Sequence, residues 1–194
     1  MFDYKTSGFY VDVGCHHPVR VSNTYLLYSV GWRGLVIDAD LSILSDFAES
    51  RPDDQVVHSG VGHDKGKRTF HIFEDHALNT FDKTVAEYWK TLGQHPEETD
   101  VDIQPLSHIL KDSKVSTSDF LNIDIEGLDL EALETNDWSK WTPEVVAIED
   151  HKLNLESPSE SEIFRFMKER GYYLVSKVLY TAIYSRHPVR HAAM

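Results

Sequence analysis

Two stretches decide the fold: Phe9-Tyr10-Val11-Asp12-Val13-Gly14-Cys15 and Gly34-Leu35-Val36-Ile37-Asp38-Ala39-Asp40. Each is a short apolar run that ends in an acid and a turn residue. Runs of this length are too short for a buried helix and suit a strand covered on both faces. Thr24–Val30 between them reads as a helix, with Ser22 or Asn23 available as a cap and Gly31 placed to end it. Strand, helix, strand in this order predicts a parallel crossover unit.

The same rhythm continues outward. Leu41–Glu49 is expected to be helical and to stop before Pro52, and Gln55–Val61 and Arg68–Phe73 read as strands. Phe81–Leu92 has a helical pattern, Val101–Ile103 suits a short strand, and His95–Asp100 looks like a surface excursion. Phe120–Ile125 is the fourth main strand, followed by a helix from about Leu128 to Thr135, and Val145–Asp150 is the fifth. Ser157-Pro158-Ser159-Glu160 has the marks of a helix start, and Gly171 marks that helix's end. Tyr172–Val178 and Tyr180–Ser185 are too close for a crossover and are expected to pair as an antiparallel hairpin. The expected architecture is a single α/β domain over residues 1–194, with a doubly wound, Rossmann-like, mostly parallel sheet. Residues 1–7 form a short lead and 187–194 a tail.

Composition narrows the function. With 41% apolar and 26% charged residues the chain is ordinary for a globular protein. Its formal charge of −13, from 32 acidic and 19 basic side chains, repels a phosphate backbone, so nucleic acid is not expected as a partner. No apolar run reaches the roughly 20 residues of a membrane-spanning helix, and Met1–Ser7 lacks the apolar core of a secretory signal. One cysteine, Cys15, can make no internal disulfide, which fits a cytoplasmic setting.

In doubly wound sheets ligands sit beyond the carboxyl ends of the strands. Four strands deliver polar groups there. The first brings Asp12, then Gly14 for close backbone approach; no GxGxxG follows, which disfavours a dinucleotide. The second brings Asp38, 26 residues later, where a carboxylate can accept from both hydroxyls of a ribose; Asp40 suits a helix cap better. The third is Phe120-Leu121-Asn122-Ile123-Asp124-Ile125-Glu126-Gly127, and the fourth is Val145-Val146-Ala147-Ile148-Glu149-Asp150-His151. Several carboxylates on one buried edge are electrostatically expensive unless a cation or hydrogen bonds compensate, and that marks a working site.

Taken in order, the block from Gly8 to Asp40, the block from Asp119 to Trp138, the short word Asn79-Thr80-Phe81, and the final Val145–Asp150 and Gly171–Val175 segments resemble the FkbM-type methyltransferases. The likeness runs from Gly8 to about Arg186. It implies a class I methyltransferase fold, S-adenosylmethionine as donor, and an oxygen of a sugar, glycan or natural product as acceptor. It places Asp12, Gly14 and Asp38 at the cofactor, with Cys15, His17 and Ala39 as neighbours on the same turns. It places Asp124 and Glu126 nearest the transferring methyl. With only Met1–Ser7 ahead of the first strand, the helix that usually precedes it is expected to be short or missing, leaving cover to another segment or to a second copy in a homo-oligomer.

A sugar hydroxyl is a weak nucleophile and needs a base or a metal. His151, following the fifth strand's acids, is the histidine best placed for a base. Asp124, Glu149 and Asp150 are all oxygen ligands, which suits magnesium, although the same acids could serve by hydrogen bonding alone. Adjacent His16 and His17 point apart, His17 toward the cofactor and His16 toward loop packing. Two rival readings stay open: a metal-dependent hydrolase or phosphotransferase, which leaves the Val11–Gly14 block unexplained, and a methyltransferase-like binding module without catalysis.

Overall fold

The computed structural model describes residues 5–188, so Met1–Tyr4 of the lead and Val189–Met194 of the tail lie outside the described residues. In chain order the elements are β1 (Phe9–Val13), α1 (Tyr25–Ser29), β2 (Arg33–Asp38), α2 (Leu41–Ser50), β3 (Gln55–His58), β4 (Gly60–Val61), β5 (Gly66–Ile72), α3 (Lys83–Thr91), β6 (Glu97–Gln104) and α4 (Leu106–Asp112). They continue with β7 (Phe120–Ile123), α5 (Asp129–Glu134), β8 (Val145–Glu149), α6 (Glu162–Glu169), β9 (Tyr173–Val178) and β10 (Thr181–Ser185).

Seven strands form one sheet in the order β3-β2-β1-β7-β8-β10-β9. The first five are parallel, and β10 runs antiparallel to both β8 and β9. The chain winds outward from β1 in one direction through β2 and β3, then returns beside β1 as β7. The junction of β1 and β7 is therefore the switch point, where a cleft opens beyond the strand ends.

Neighbouring residues of each strand enter different cores. Val11, Leu35, Ile37, Leu121, Ile123, Val146 and Ile148 join Leu106 and Ile109 of α4 and Met167 of α6 on one face. Tyr10, Val36, Phe120, Val145 and Ala147 join Trp32 and Phe47 on the other. This alternation explains why the strands read as continuous apolar runs: both faces are covered. A buried branched side chain is worth roughly 1.5–3 kcal/mol, so the sheet's two faces outweigh α1, a five-residue helix that only half-buries Leu27 and Tyr28 against the second core.

Three differences from the sequence expectations bear on the site. The strand expected over Gln55–Val61 is two: β3 pairs with β2, then the chain turns at Ser59 and β4 pairs with β6. Ser59 makes the turn by donating its backbone N–H to Asp38 O at 3.0 Å and its hydroxyl to Gly60 O and Asp102 O. The expected excursion His95–Asp100 largely belongs to the eight-residue β6. It pairs antiparallel along β5 from Gly66↔Ile103 to Ile72↔Glu97. Its first half reads as a loop because Glu97–Asp100 are exposed, so no apolar alternation is written there. Together β4, β6 and β5 make a second, three-stranded sheet.

The third difference is at α6, which starts at Glu162 and not at Ser157. Pro158–Glu160 form a single 3₁₀ turn, and Ser161 is the cap, accepting from Phe164 N at 3.0 Å. The helix α4 has no counterpart in the sequence reading, although Leu106, Ile109 and Leu110 carry its spacing. The hairpin of β9 and β10, the helix cap at Asp40 and the stop at Gly31 stand as expected. Among the described residues no helix is long and apolar enough to cross a membrane.

Candidate active site

At the switch point β1 and β7 come very close. Val13 O accepts from Asp124 N at 3.0 Å, and Gly14 N donates to Ile37 O at 2.9 Å. Gly14 has φ +75°, and a Cβ there would lie 1.8 Å from Asp124 O. Glycine is therefore required by the neighbouring backbone, in addition to any ligand.

Asp12, 1% exposed, sits just before this turn with both oxygens engaged. Oδ2 accepts from Thr24 Oγ1 at 2.5 Å and Oδ1 from Asn122 Nδ2 at 2.8 Å, while Asn122 Oδ1 accepts from Asn23. Burial pushes its pKa up to about 6, against the pull of these hydrogen bonds. Beneath lies Arg51, 0% exposed, paired with Asp54 at 2.8 Å and donating to Thr24 Oγ1, Pro18 O and Tyr10 Oη. This network fixes the loop after Gly14 from below. Asn122 carries the signal a sequence can offer for it: an amide inside a wholly buried strand.

Asp38, at the end of β2, accepts from Asp40 N at 2.9 Å through Oδ1, and more loosely from His16 N and Cys15 Sγ through Oδ2. Burial raises its pKa, and burial also raises that of Cys15 well above the usual thiol range, so the thiol is inert. Ala39 lines the same cavity and accepts from His58 Nε2 at 2.9 Å. The two histidines exchange the places expected for them. His16, with φ 50° and a buried Nδ1 lacking a partner, lines the cavity. His17 turns into an adjoining recess, its Nδ1 accepting from Val19 N and Arg20 N.

The third and fourth strand ends bring acids together. Asp124, Glu126 and Glu149 all have raised pKa values, chiefly from burial; Glu126 reaches about 7 and Glu149 about 8, and mutual repulsion adds to both. Asp129 accepts from Ile125 N and Gly127 N and so fixes the turn that holds Glu126 at φ 53°. His151 Nε2 lies 3.1 Å from Glu149 Oε1. Asp150, expected beside Glu149 as a metal ligand, is turned away: its carboxylate accepts from Lys152 N and from Ser161 Oγ at 2.5 Å, tying β8 to α6. Asp150 follows the last residue of β8, and the turn there directs its carboxylate to α6, away from Glu149. The carboxylate and imidazole atoms that do converge belong to Glu126, Glu149 and His151.

These strand ends line a cavity of about 290 Å³, near the lower end of small-molecule sites. The small sheet closes its far wall with Gly60, Val61 and Phe70, and Asn79-Thr80-Phe81 crosses over it. Asn79 donates to Asp40 Oδ2 at 3.0 Å, Thr80 donates to Glu126 O at 3.2 Å, and Phe81 packs on Phe70 at 4.6 Å between ring centroids. That word thus joins the β2 side to the β7 side. Asp12, Asp38, Asp124 and Glu126 line the cavity, and among the described residues no lysine or arginine does.

The model of the methyltransferase FkbM domain matches residues 12–174. The chain belongs to that family. No curated protein and no solved structure matches it. As a methyltransferase FkbM domain, the chain carries the matched segment from Asp12 at the switch point to Leu174 in β9, so every residue described in the cavity falls within it. The seven-stranded sheet, with its last strand antiparallel between β8 and β9, is the Rossmann-like arrangement the resemblance implies.

Proposed function

We propose that this methyltransferase uses S-adenosylmethionine and methylates a hydroxyl of a sugar, glycan or related natural product. One observation supports it above the others: among the described residues, four carboxylates and no lysine or arginine line an otherwise mostly apolar cavity at the switch point. Such a lining suits a cationic, ribose-bearing ligand and penalises a phosphate-bearing one. The lack of lysine and arginine among the described lining residues weighs in the same way against the phosphotransferase alternative.

The residues fit the donor as follows. Asp38, at the end of the second strand and only loosely bonded through Oδ2, would accept from the ribose hydroxyls. Gly14 and the loop pinned by Arg51 would let the backbone lie against the donor, with Asp12 and Asn122 facing its amino-acid end. When bound, S-adenosylmethionine supplies a methyl group on a positively charged sulfur, and that group passes to an acceptor oxygen. Asp124 and Glu126, which line the cavity beyond β7, would face that oxygen and orient it. A carboxylate whose pKa burial has raised, as Asp124's is, suits proton removal from a hydroxyl.

The test is calorimetry with S-adenosylhomocysteine, which isolates donor-site binding from any choice of acceptor. Asp38→Ala should weaken it by ~1.5–3 kcal/mol, the loss of a charged hydrogen-bond partner. Absence of binding to the wild-type chain would refute the reading, and unchanged affinity in the variant would remove Asp38 from the site.

A further inference from the structure

We propose that Glu126, Glu149 and His151 bind one divalent cation of the manganese kind on the acceptor side of the cleft. Its role rests on the function proposed above; its chemistry does not.

The three side chains come from two strand ends, β7 and β8, and each offers one ligand atom within 4.8 Å of the others. Donors held at about 2.1 Å around an ion lie roughly 3–4 Å apart, so small side-chain movements complete the cage. The framework is fixed from outside the cluster. Asp129 and Thr80 hold the Glu126 turn, and β8 is registered on β10 at Thr181↔Glu149. The Tyr180 ring lies 4.3 Å from the His151 imidazole and sets its plane.

The observation that points to a ligand is Glu149 itself. Its side chain is 11% exposed, and Oε2 is shut off from water with no hydrogen-bond partner. A buried carboxylate oxygen left bare is costly, and it is found where a donor or a cation belongs. Among the described residues no lysine or arginine pairs with Glu126 or Glu149, and the nearby Lys177 is spent on the carbonyls of Asp150 and Leu153. His151 is 54% exposed, so an ion can reach the cluster.

Two carboxylates with one imidazole are less suited to magnesium than an all-oxygen set and favour Mn²⁺ or a similar transition cation. Three protein ligands leave open positions. Adjacent open positions fit an acceptor with two neighbouring oxygens, such as a vicinal diol of a sugar, and would lower the pKa of the hydroxyl to be methylated.

The experiment is a titration of the tag-free chain with Mn²⁺, following the free-ion electron paramagnetic resonance signal. One ion per chain is expected, weakened tenfold or more by His151→Ala and by Glu149→Gln. The control is His63→Ala, since His63 and Glu134 form a surface pair of similar spacing, 3.0 Å; it should change nothing. Circular dichroism verifies that each variant is folded; His151, half-exposed, is the substitution least able to disturb the fold. The inference is overturned if no Mn²⁺ binds up to millimolar concentration, or if His151→Ala binds like wild type. Calorimetry with S-adenosylhomocysteine on the same samples separates the two ideas: donor-site binding without Mn²⁺ binding defeats the cation site alone, and loss of the former alone defeats the functional reading.

Discussion

Replacing Gly14 by alanine separates two reasons for a glycine at the switch point. Alanine there must adopt φ near +75°, a left-handed conformation that costs an L-residue roughly 1–2 kcal/mol. Its Cβ would also stand 1.8 Å from Asp124 O, where side chains stay beyond 3.0 Å, and the obstacle is backbone that cannot swing aside. The ends of β1 and β7 must therefore part by more than an ångström, against hydrogen bonds on both flanks of the turn. Overpacking of this kind adds about 1–3 kcal/mol. The expected total is ~2–5 kcal/mol, a large share of a stability typically about 5–15 kcal/mol. Gly171→Ala supplies the reference: it has φ +79° with nothing within 4 Å of the new methyl, so it carries the conformational part alone. Urea denaturation of both variants at constant m-value gives the difference, expected to be about 1–3 kcal/mol, and at ~2–4 °C per kcal/mol for a chain of this size it is visible in the thermal midpoint as well. If Gly14→Ala is no less stable than Gly171→Ala but has lost S-adenosylhomocysteine binding, the glycine serves the ligand and not the β1–β7 contact, and the reasoning fails.

Two further outcomes follow from the same geometry. Asp12 has its folded pKa raised to about 6 from an ordinary 3.8, so the fold favours its protonated form. Its contribution is present in full below about pH 4 and is lost as the pH rises through 6, worth up to roughly 3 kcal/mol. Relative to Asp12→Asn, wild type should thus lose stability across that window in urea titrations, and a constant difference would rule the coupling out. Asp124→Asn should lower methyl transfer from labelled S-adenosylmethionine to a panel of sugars by ~10²–10⁴-fold while S-adenosylhomocysteine affinity is kept. Wild-type transfer by that variant would remove Asp124 from the chemistry.

Legibility differed between the two halves of the site. Asp12, Gly14 and Asp38 were readable because each ends a short apolar run, and a parallel sheet must bring such ends to one edge. Asp124, Glu126 and Glu149 were readable as a set on the same ground. The direction of individual side chains was not. His16 and His17 are chemically identical neighbours, and the positive φ at His16 decides which of them faces the cavity.

The linear pattern by itself determined the doubly wound sheet, the strand ends that line the cavity and the family, because periodicity and short motifs are local properties of the chain. Tertiary structure decided what those residues are free to do. Asp150 reads as a ligand beside Glu149 until Ser161, eleven residues on, takes its carboxylate for the start of α6. Glu97–Asp100 reads as a loop until β5, some thirty residues earlier, supplies its hydrogen bonds. Asn79-Thr80-Phe81 spans the cleft only once two separate crossovers have brought β2 and β7 to either side of it. In each case a hydrogen bond between residues distant in sequence competes for a polar group, and a pattern of neighbours carries no record of that competition.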